Sequence, residues 1–433
     1  MTTPNYTSNS SRCSDRFIRE NMLASRRPER LFLSTQFAMP KSTATILIPC
    51  LLLALTCSEE RQDVPEDVRL APITAPTRAY WPTTAWRTAS PESQGIDPDF
   101  LARADEYAFQ RTGNEEDRAG IRTDGVVIVR NGYIVYERYA RDYTAETPHL
   151  TWSVSKSFVN ALFGIASEQG LLDIDEPAAK YFPALDKPDR RSMTIRNILN
   201  MSSGISWSEG YEASPLKSSV IAMLYTRGRG DMADFTAGQS MRAQPGTYVY
   251  YSSGDSNLLM GILKNAVPAG SYDSYAWDHL FDVIGMKGVT WERDGSGTFV
   301  GSSYIYATHR DLARFGFLYL NDGNWDGRRL FPLGWVDFTR TAAPGYRETP
   351  AYPGIEEDNY TAHWYCNTGV PGAGIPPAWP DAPRDTFAAQ GHWGQYLFVI
   401  PSMDLVIVRM GDDRDHSFDV NTFLNLVAES VIL

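Results

Sequence analysis

Two short stretches near opposite ends of the chain constrain its fold more than anything between them. Val126-Val127-Ile128-Val129 and Tyr133-Ile134-Val135-Tyr136 are β-branched and aromatic runs separated by Arg130-Asn131-Gly132. Asn-Gly readily adopts the positive φ of a tight turn, so this segment is predicted to be a hairpin. Tyr396-Leu397-Phe398-Val399-Ile400 and Leu405-Val406-Ile407-Val408 flank Pro401-Ser402-Met403-Asp404 and predict a second hairpin. Between the two the apolar periodicity is helical, over 153–168, 193–200, 216–226, 255–266 and 309–321. Residues 100–109 read as a helix opening behind Pro98, and 418–432 as a closing helix. The expected fold class is α/β in the α+β sense: one antiparallel sheet assembled from both termini, flanked by helices, with a mainly helical region inserted. No internal repeat is present.

Composition narrows the function. With 43% hydrophobic and 21% charged residues and a formal charge of −12, the 433-residue chain fits neither a disordered segment nor a multi-span membrane protein. There is no basic stripe, which argues against nucleic acid as a partner. The four cysteines (Cys13, Cys50, Cys57, Cys366) form no disulfide framework and no zinc spacing, and neither metal nor cofactor is expected.

The first 57 residues differ from the rest, with seven Lys or Arg against three Asp or Glu. The uncharged run around Ile46-Leu47-Ile48-Pro49-Cys50-Leu51-Leu52-Leu53 is too short, and too interrupted by Pro49, to span a bilayer of ~30 Å. It suits the apolar region of a secretory signal with Lys41 as its positive flank. Residues 1–57 are read as a leader, with a start at Met39, residues 1–38 as an extension of the reading frame and 39–57 as the signal. Leu53-Ala54-Leu55-Thr56-Cys57 resembles a bacterial lipoprotein cleavage site, although Thr56 replaces the usual small residue. Two readings stay open, an acylated Cys57 tethering the chain to a membrane and an ordinary signal peptide. Both place the protein outside the cytoplasm, periplasmic or lipid-anchored to the envelope. Residues 58–84, rich in proline, are expected to form a linker. The domain proper is then 85–433, its α/β part covering about 85–165 and 290–433 and its helical insert about 166–289.

The sequence lacks G-x-S-x-G, H-E-x-x-H, a P-loop and a dinucleotide fingerprint. It does contain Ser-x-x-Lys twice. On a helix this spacing puts a hydroxyl and an amine on one face, one turn apart, where a deprotonated amine can take the hydroxyl proton. In Ser214-Pro215-Leu216-Lys217 the proline follows the serine directly within a polar segment, and a capping role is expected. Ser153-Val154-Ser155-Lys156 instead opens a helix that is apolar around most of its circumference and ends near Gly170. A serine at the first turn of a core helix sits beside free N–H groups that stabilise an oxyanion. A plain N-cap serine with a solvated lysine would produce the same four letters.

Two further segments carry chemistry: Tyr251-Ser252-Ser253, ahead of the apolar helix near Leu258, and Gly391-His392-Trp393-Gly394-Gln395, leading into a strand. Taken singly these read as an aromatic strand end and a glycine-rich turn. Taken in order with Ser153-Val154-Ser155-Lys156, they resemble the three active-site motifs of serine β-lactamase-type proteins: class C β-lactamases, DD-peptidases and related esterases and amide hydrolases. Similar stretches occur at 88–97, 193–204 and 307–316, so the resemblance runs from about residue 85 to the end. The Tyr-Ser-Ser and His-x-Gly forms are most similar to 6-aminohexanoate-dimer-hydrolase-like and esterase-like members.

The resemblance implies Ser153 as nucleophile, Lys156 as its proton partner and Tyr251 as general base. It implies an oxyanion hole from the backbone N–H groups of Ser153 and Gln395, and substrate contacts from Ser253, His392, Trp393 and Gly394. Ser253 stands where β-lactamases usually have Asn, and His392 where they usually have Lys, which puts β-lactam specificity in doubt but not acyl transfer. Free lysine and tyrosine titrate ~3 units above neutrality, a gap of about 4 kcal/mol per proton. Burial of the lysine and a cation beside the phenol act to close it, so the two groups titrate together. The expected function is serine hydrolysis of a small-molecule ester or amide. The alternatives are a DD-peptidase or β-lactamase, and a non-catalytic exported binding protein of the same fold. Trp152 and Trp393 flank two of the motif positions and are candidates for the pocket wall.

Overall fold

The computed structural model describes residues 68–432 except 114–115, 117, 212–213 and 349–358. The leader, Met39, Cys57 and residues 58–67 of the expected linker lie outside the described residues. Asn131 and Gly132 take φ of +53° and +86° and close the first hairpin, between β1 (Thr123–Arg130) and β2 (Tyr133–Tyr139). Five short strands follow: β3 (His149–Leu150), β4 (Thr290–Trp291), β5 (Ile305–Ala307), β6 (Asn324–Trp325) and β7 (Arg328–Arg329). Then come β8 (Tyr360–Thr361), β9 (Trp364–Cys366), β10 (Phe387–Gly391), β11 (Gln395–Ile400) and β12 (Leu405–Gly411). The main sheet has seven antiparallel strands in the order β2-β1-β12-β11-β10-β9-β8. Val127 lies opposite Val408 across the β1–β12 seam, so the first and last hairpins fuse into one sheet.

Helices cover both faces. In chain order they are α1 (Pro98–Phe109), α2 (Ser155–Glu168), α3 (Ile195–Leu199), α4 (Ser219–Tyr225), α5 (Met232–Ala237) and α6 (Ser253–Ala266). The later ones are α7 (Tyr272–Ala276), α8 (Asp282–Ile284), α9 (His309–Leu320), α10 (Trp335–Thr339), α11 (Gly345–Glu348) and α12 (Val420–Glu429). Side chains alternate across a strand, which divides the core in two. Val127, Val129, Leu397, Val399, Val406 and Val408 join the cluster containing α2 and α9. Val126, Ile128, Phe398, Ile400, Leu405 and Ile407 face the other way, toward Leu101 of α1 and Phe423 and Leu424 of α12. Gly316 lets α9 lie close on the sheet, because a Cβ there would stand 2.7 Å from Leu397 and Val406 side chains. No described helix is long and apolar enough to cross a membrane.

Two expectations need correction. The linker expected over 58–84 does not extend to residue 84. Arg78 is buried in an ion pair with Asp404 at 2.6 Å, Tyr80 donates to the Gly132 carbonyl, and Trp81 packs on Phe317 and Trp325. Aromatic and guanidinium groups bind this stretch to the domain. Ser214 does not cap a helix either. Residues 215–217 form a turn, and the cap of α4 is Ser218, whose Oγ accepts from the Ile221 amide at 3.2 Å.

The helix that begins behind Ser153 is held by a buried amide. Asn160 of α2 donates to the Ala362 carbonyl at 2.8 Å and accepts from Tyr319 OH at 2.6 Å and Trp335 Nε1 at 3.1 Å. Asn160→Ala strips these buried groups of their partner, and each orphan costs about 1–3 kcal/mol. Chemical denaturation should therefore show a loss of at least about 3 kcal/mol; a loss below about 1 kcal/mol would mean the network does not anchor α2.

Candidate active site

A single 3₁₀ turn, Trp152–Val154, joins β3 to α2 and carries Ser153. Thr151, just before it, is fixed from below: its amide and hydroxyl both donate to the Ile305 carbonyl of β5 at 2.9 Å. Lys156, in the first turn of α2, is completely buried. Its Nζ lies 3.0 Å from Ser153 Oγ and 3.0 Å from the Ser302 carbonyl, and 4.8 Å from the centre of the Tyr251 ring. The carbonyl can only accept, so one lysine N–H is committed to it. Toward Ser153 the contact suits either an ammonium donating to the hydroxyl or a neutral amine accepting from it. Tyr251, far along the chain, is thus brought to the local Ser153–Lys156 pair.

The supports of this triad come from α6. Asn257 donates to Ser302 Oγ and accepts from the Gly301 amide, both at 2.9 Å, which fixes the loop whose carbonyl holds Lys156. His363 lies buried nearby, its Nδ1 2.8 Å from the Leu199 carbonyl and its Nε2 2.9 Å from Ser256 Oγ. The carbonyl requires a proton on Nδ1, so Nε2 is the acceptor. Burial pushes the His363 pKa down to about 3, and the Lys156 charge acts in the same direction. The lysine therefore has a neutral neighbour.

Ser153 opens on a cleft of about 590 Å³ walled by Tyr211, Tyr250, Tyr251, His392 and Trp393. His392 stacks on Tyr211 with ring centroids 5.4 Å apart. Gly394 also lines the cleft, so three of the four expected substrate contacts face it. The fourth does not. Ser253 is fully buried, and its hydroxyl and amide both donate to Glu209. The cleft presents Glu209 in its place, a carboxylate that also accepts from Trp207 Nε1 at 2.6 Å and Tyr211 OH at 3.3 Å. Trp152 likewise faces away, lining a neighbouring cavity of about 370 Å³. Gln395 lines that second cavity as well, and its side chain is spent on the His392, Trp393 and Gly411 carbonyls. Glu209, Tyr211, Asn257 and His363 went unread in the sequence, where they form no spaced motif.

A mixed α/β fold with a buried lysine touching a serine on the 3₁₀ turn ahead of a core helix defines a class of hydrolases. The profile of the Beta-lactamase family matches residues 108–426, and the chain belongs to that family. The chain is 27% identical over 330 residues to the 6-aminohexanoate-dimer hydrolase of Paenarthrobacter ureafaciens, covering 73% of this chain and 79% of that protein. A solved structure provisionally assigned as a 6-aminohexanoate-dimer hydrolase of Bacillus anthracis superimposes with a TM-score of 0.62 at 22% identity, over 82% of this chain and 90% of that one. A class C β-lactamase has the same fold, with a TM-score of 0.53 at 16% identity, over 77% of this chain and 97% of that one.

Beside the site, Asp255 in the first turn of α6 accepts from Ser203 Oγ at 2.9 Å, and its second oxygen is buried without a hydrogen bond. Burial raises its pKa to about 7, against the lowering effect of the Ser203 and Ser252 hydroxyls. Below pH 4 the carboxyl is neutral in folded and unfolded chains alike. Between pH 4 and 7 only the unfolded chain ionises, so stability falls as pH rises, by up to about 4 kcal/mol. Asp255→Asn removes this titration, so its thermal midpoint should gain on the wild type from pH 4 to 7 and hold its lead above. A difference that does not vary with pH contradicts the raised pKa.

Proposed function

We propose that the chain is a serine hydrolase that cleaves an ester or amide bond through an acyl-enzyme on Ser153. The observation that carries this reading is the 3.0 Å approach of the buried Lys156 Nζ to Ser153 Oγ at the edge of a 590 Å³ cleft. Ser153 Oγ attacks the substrate carbonyl carbon while its proton passes to the Lys156–Tyr251 pair. The oxyanion is received by the Ser153 N–H and by the turn that ends in Gln395, each donor contributing about 3 kcal/mol in comparable sites. The same pair returns the proton to the leaving alcohol or amine. A water deprotonated by Tyr251 then attacks the acyl carbon and releases Ser153. His392 and Trp393 orient the substrate, because lysine and tyrosine already fill the base role.

An amide substrate is supported by the named activity of the Paenarthrobacter relative, and an ester by the same acyl-transfer chemistry. The commitment of Ser253 to Glu209 weighs against a β-lactam or a cell-wall peptide, since the polar group that β-lactamases present from this position is turned away from the cleft. The reading includes export through residues 39–57, with the chain free in the periplasm or anchored at Cys57.

Ser153→Ala should abolish both p-nitrophenyl ester turnover and labelling by a fluorophosphonate; persistence of either removes Ser153 as nucleophile. Lys156→Ala and Tyr251→Phe should each lower kcat by about 10²–10⁴-fold. A drop under tenfold excludes that residue from proton transfer. Stoichiometric acylation by labelled penicillin with slow ester turnover would favour the DD-peptidase alternative.

A further inference from the structure

Trp152, immediately before Ser153, has φ of +49°. This is the left-handed region, which a bulky L-residue enters only when its surroundings hold it there. Three rings surround the indole: Trp393 at 5.3 Å between centroids, His392 at 5.7 Å and Tyr304 at 6.3 Å. Two of them belong to the β10–β11 turn. The indole faces the second cavity rather than the substrate cleft. Its packing therefore joins the nucleophile's turn to the β10–β11 turn without placing it against the substrate.

A second contact joins the same two segments. Gly391, the last residue of β10, lies so close to the nucleophile's strand that a Cβ there would stand 2.3 Å from the Thr151 carbonyl oxygen. Thr151 cannot retreat, because its amide and hydroxyl are both bonded to Ile305. Backbone contact at Gly391–Thr151 and ring contact at Trp152–Trp393 thus fix the gap between the Ser153 turn and the 392–395 turn from two sides.

We infer that Trp152 and Gly391 are positioning residues that set the separation of the two halves of the oxyanion hole, with the strained Trp152 backbone as the adjustable part. The inference rests on the acyl-enzyme reading given above. An oxyanion exists only in the tetrahedral intermediate and the transition states beside it, so an error in this gap acts on kcat and leaves ground-state binding alone. A misplacement of about 1 Å costs roughly a hundredfold.

The test is a series on the full chain with a p-nitrophenyl ester: Trp152→Phe, Trp152→Gly, Trp152→Ala and Gly391→Ala, with inhibition by an arylboronic acid, which mimics the tetrahedral intermediate. Trp152→Ala and Gly391→Ala should lower kcat by about a hundredfold with KM within threefold. Boronate affinity should fall in step with kcat/KM. Trp152→Phe keeps a ring clamp, and Trp152→Gly adopts positive φ freely, so both should recover at least tenfold over Trp152→Ala. Equal losses in the glycine and alanine variants, a loss carried by KM, or boronate affinity unchanged while kcat drops would each overturn the inference. Should Trp152→Ala fail to fold, Gly391→Ala decides by the same kcat, KM and boronate criteria. Activity retained in Ser153→Ala would defeat the acyl-enzyme reading itself. A dead Ser153→Ala beside fully active Trp152→Ala and Gly391→Ala would defeat this inference alone.

Discussion

The structure depends on one expensive act, the complete burial of the Lys156 amine. A lysine with 0% exposure has lost its hydration and must recover hydrogen bonds inside the protein or give up its charge. Two oxygens lie at 3.0 Å, the Ser153 hydroxyl and the Ser302 carbonyl, and the Tyr251 ring face covers it at 4.8 Å. Each of these is fixed by something else. Asn257 holds the Ser302 loop, Thr151 is tied to β5, and Tyr251 packs edge-on against Tyr360 at 4.8 Å. The desolvation of Lys156 is thus a cost to the fold that these fixed partners offset.

How much of this could be read from the sequence follows from where the interactions are local. The Asn131-Gly132 turn, the apolar runs on either side of it and the helix behind Ser153 are set by neighbours in the chain, and each stands where it was expected. The Ser-x-x-Lys contact is local too, one helical turn long. The outer strands β8, β9 and β10 are different. Phe387-Ala388-Ala389 carries little strand propensity and is a strand because β11 pairs with it. Glu209 was illegible for a related reason. Its role arises from Ser253, 44 residues further on, and nothing in Trp207-Ser208-Glu209-Gly210-Tyr211 announces that partner. The Ser214 cap failed because a serine followed by proline is as much a turn signal as a helix start, and Ser218 had the better geometry.

The N-terminal end of α6 shows how a single helix start is divided between support and site. Ser252 caps it, accepting from the Asp255 amide, while Ser253 donates from both its amide and its hydroxyl to Glu209. Glu209 receives N–H and O–H donors on both oxygens, from Trp207, Ser253 and Tyr211. Asp255, one turn away, receives a hydroxyl on one oxygen and nothing on the other. Two carboxyl groups so close cannot both be comfortable as anions, and the Glu209 charge is one of the influences that raise Asp255. Glu209, carried on the 207–211 segment and held by the start of α6, lines the cleft, while Asp255 is sealed behind it.

That division bears on what the cleft can accept. Its walls are rich in tyrosine and histidine rings, with Arg242 packed on Tyr250 at 4.3 Å and Arg414 on Trp393 at 4.0 Å. Aromatic walls bury the apolar body of a substrate at little conformational cost and tolerate variation in its shape. Under the proposed reading, specificity then comes from polar groups that line the cleft, among them Ser153, Glu209, Tyr211 and His392. Tyr211 is stacked on His392 and also donates to Glu209, so two of the others are joined through it. Under the proposed reaction, a change of substrate calls for a change in the 207–211 segment rather than in the Ser153–Lys156–Tyr251 contact.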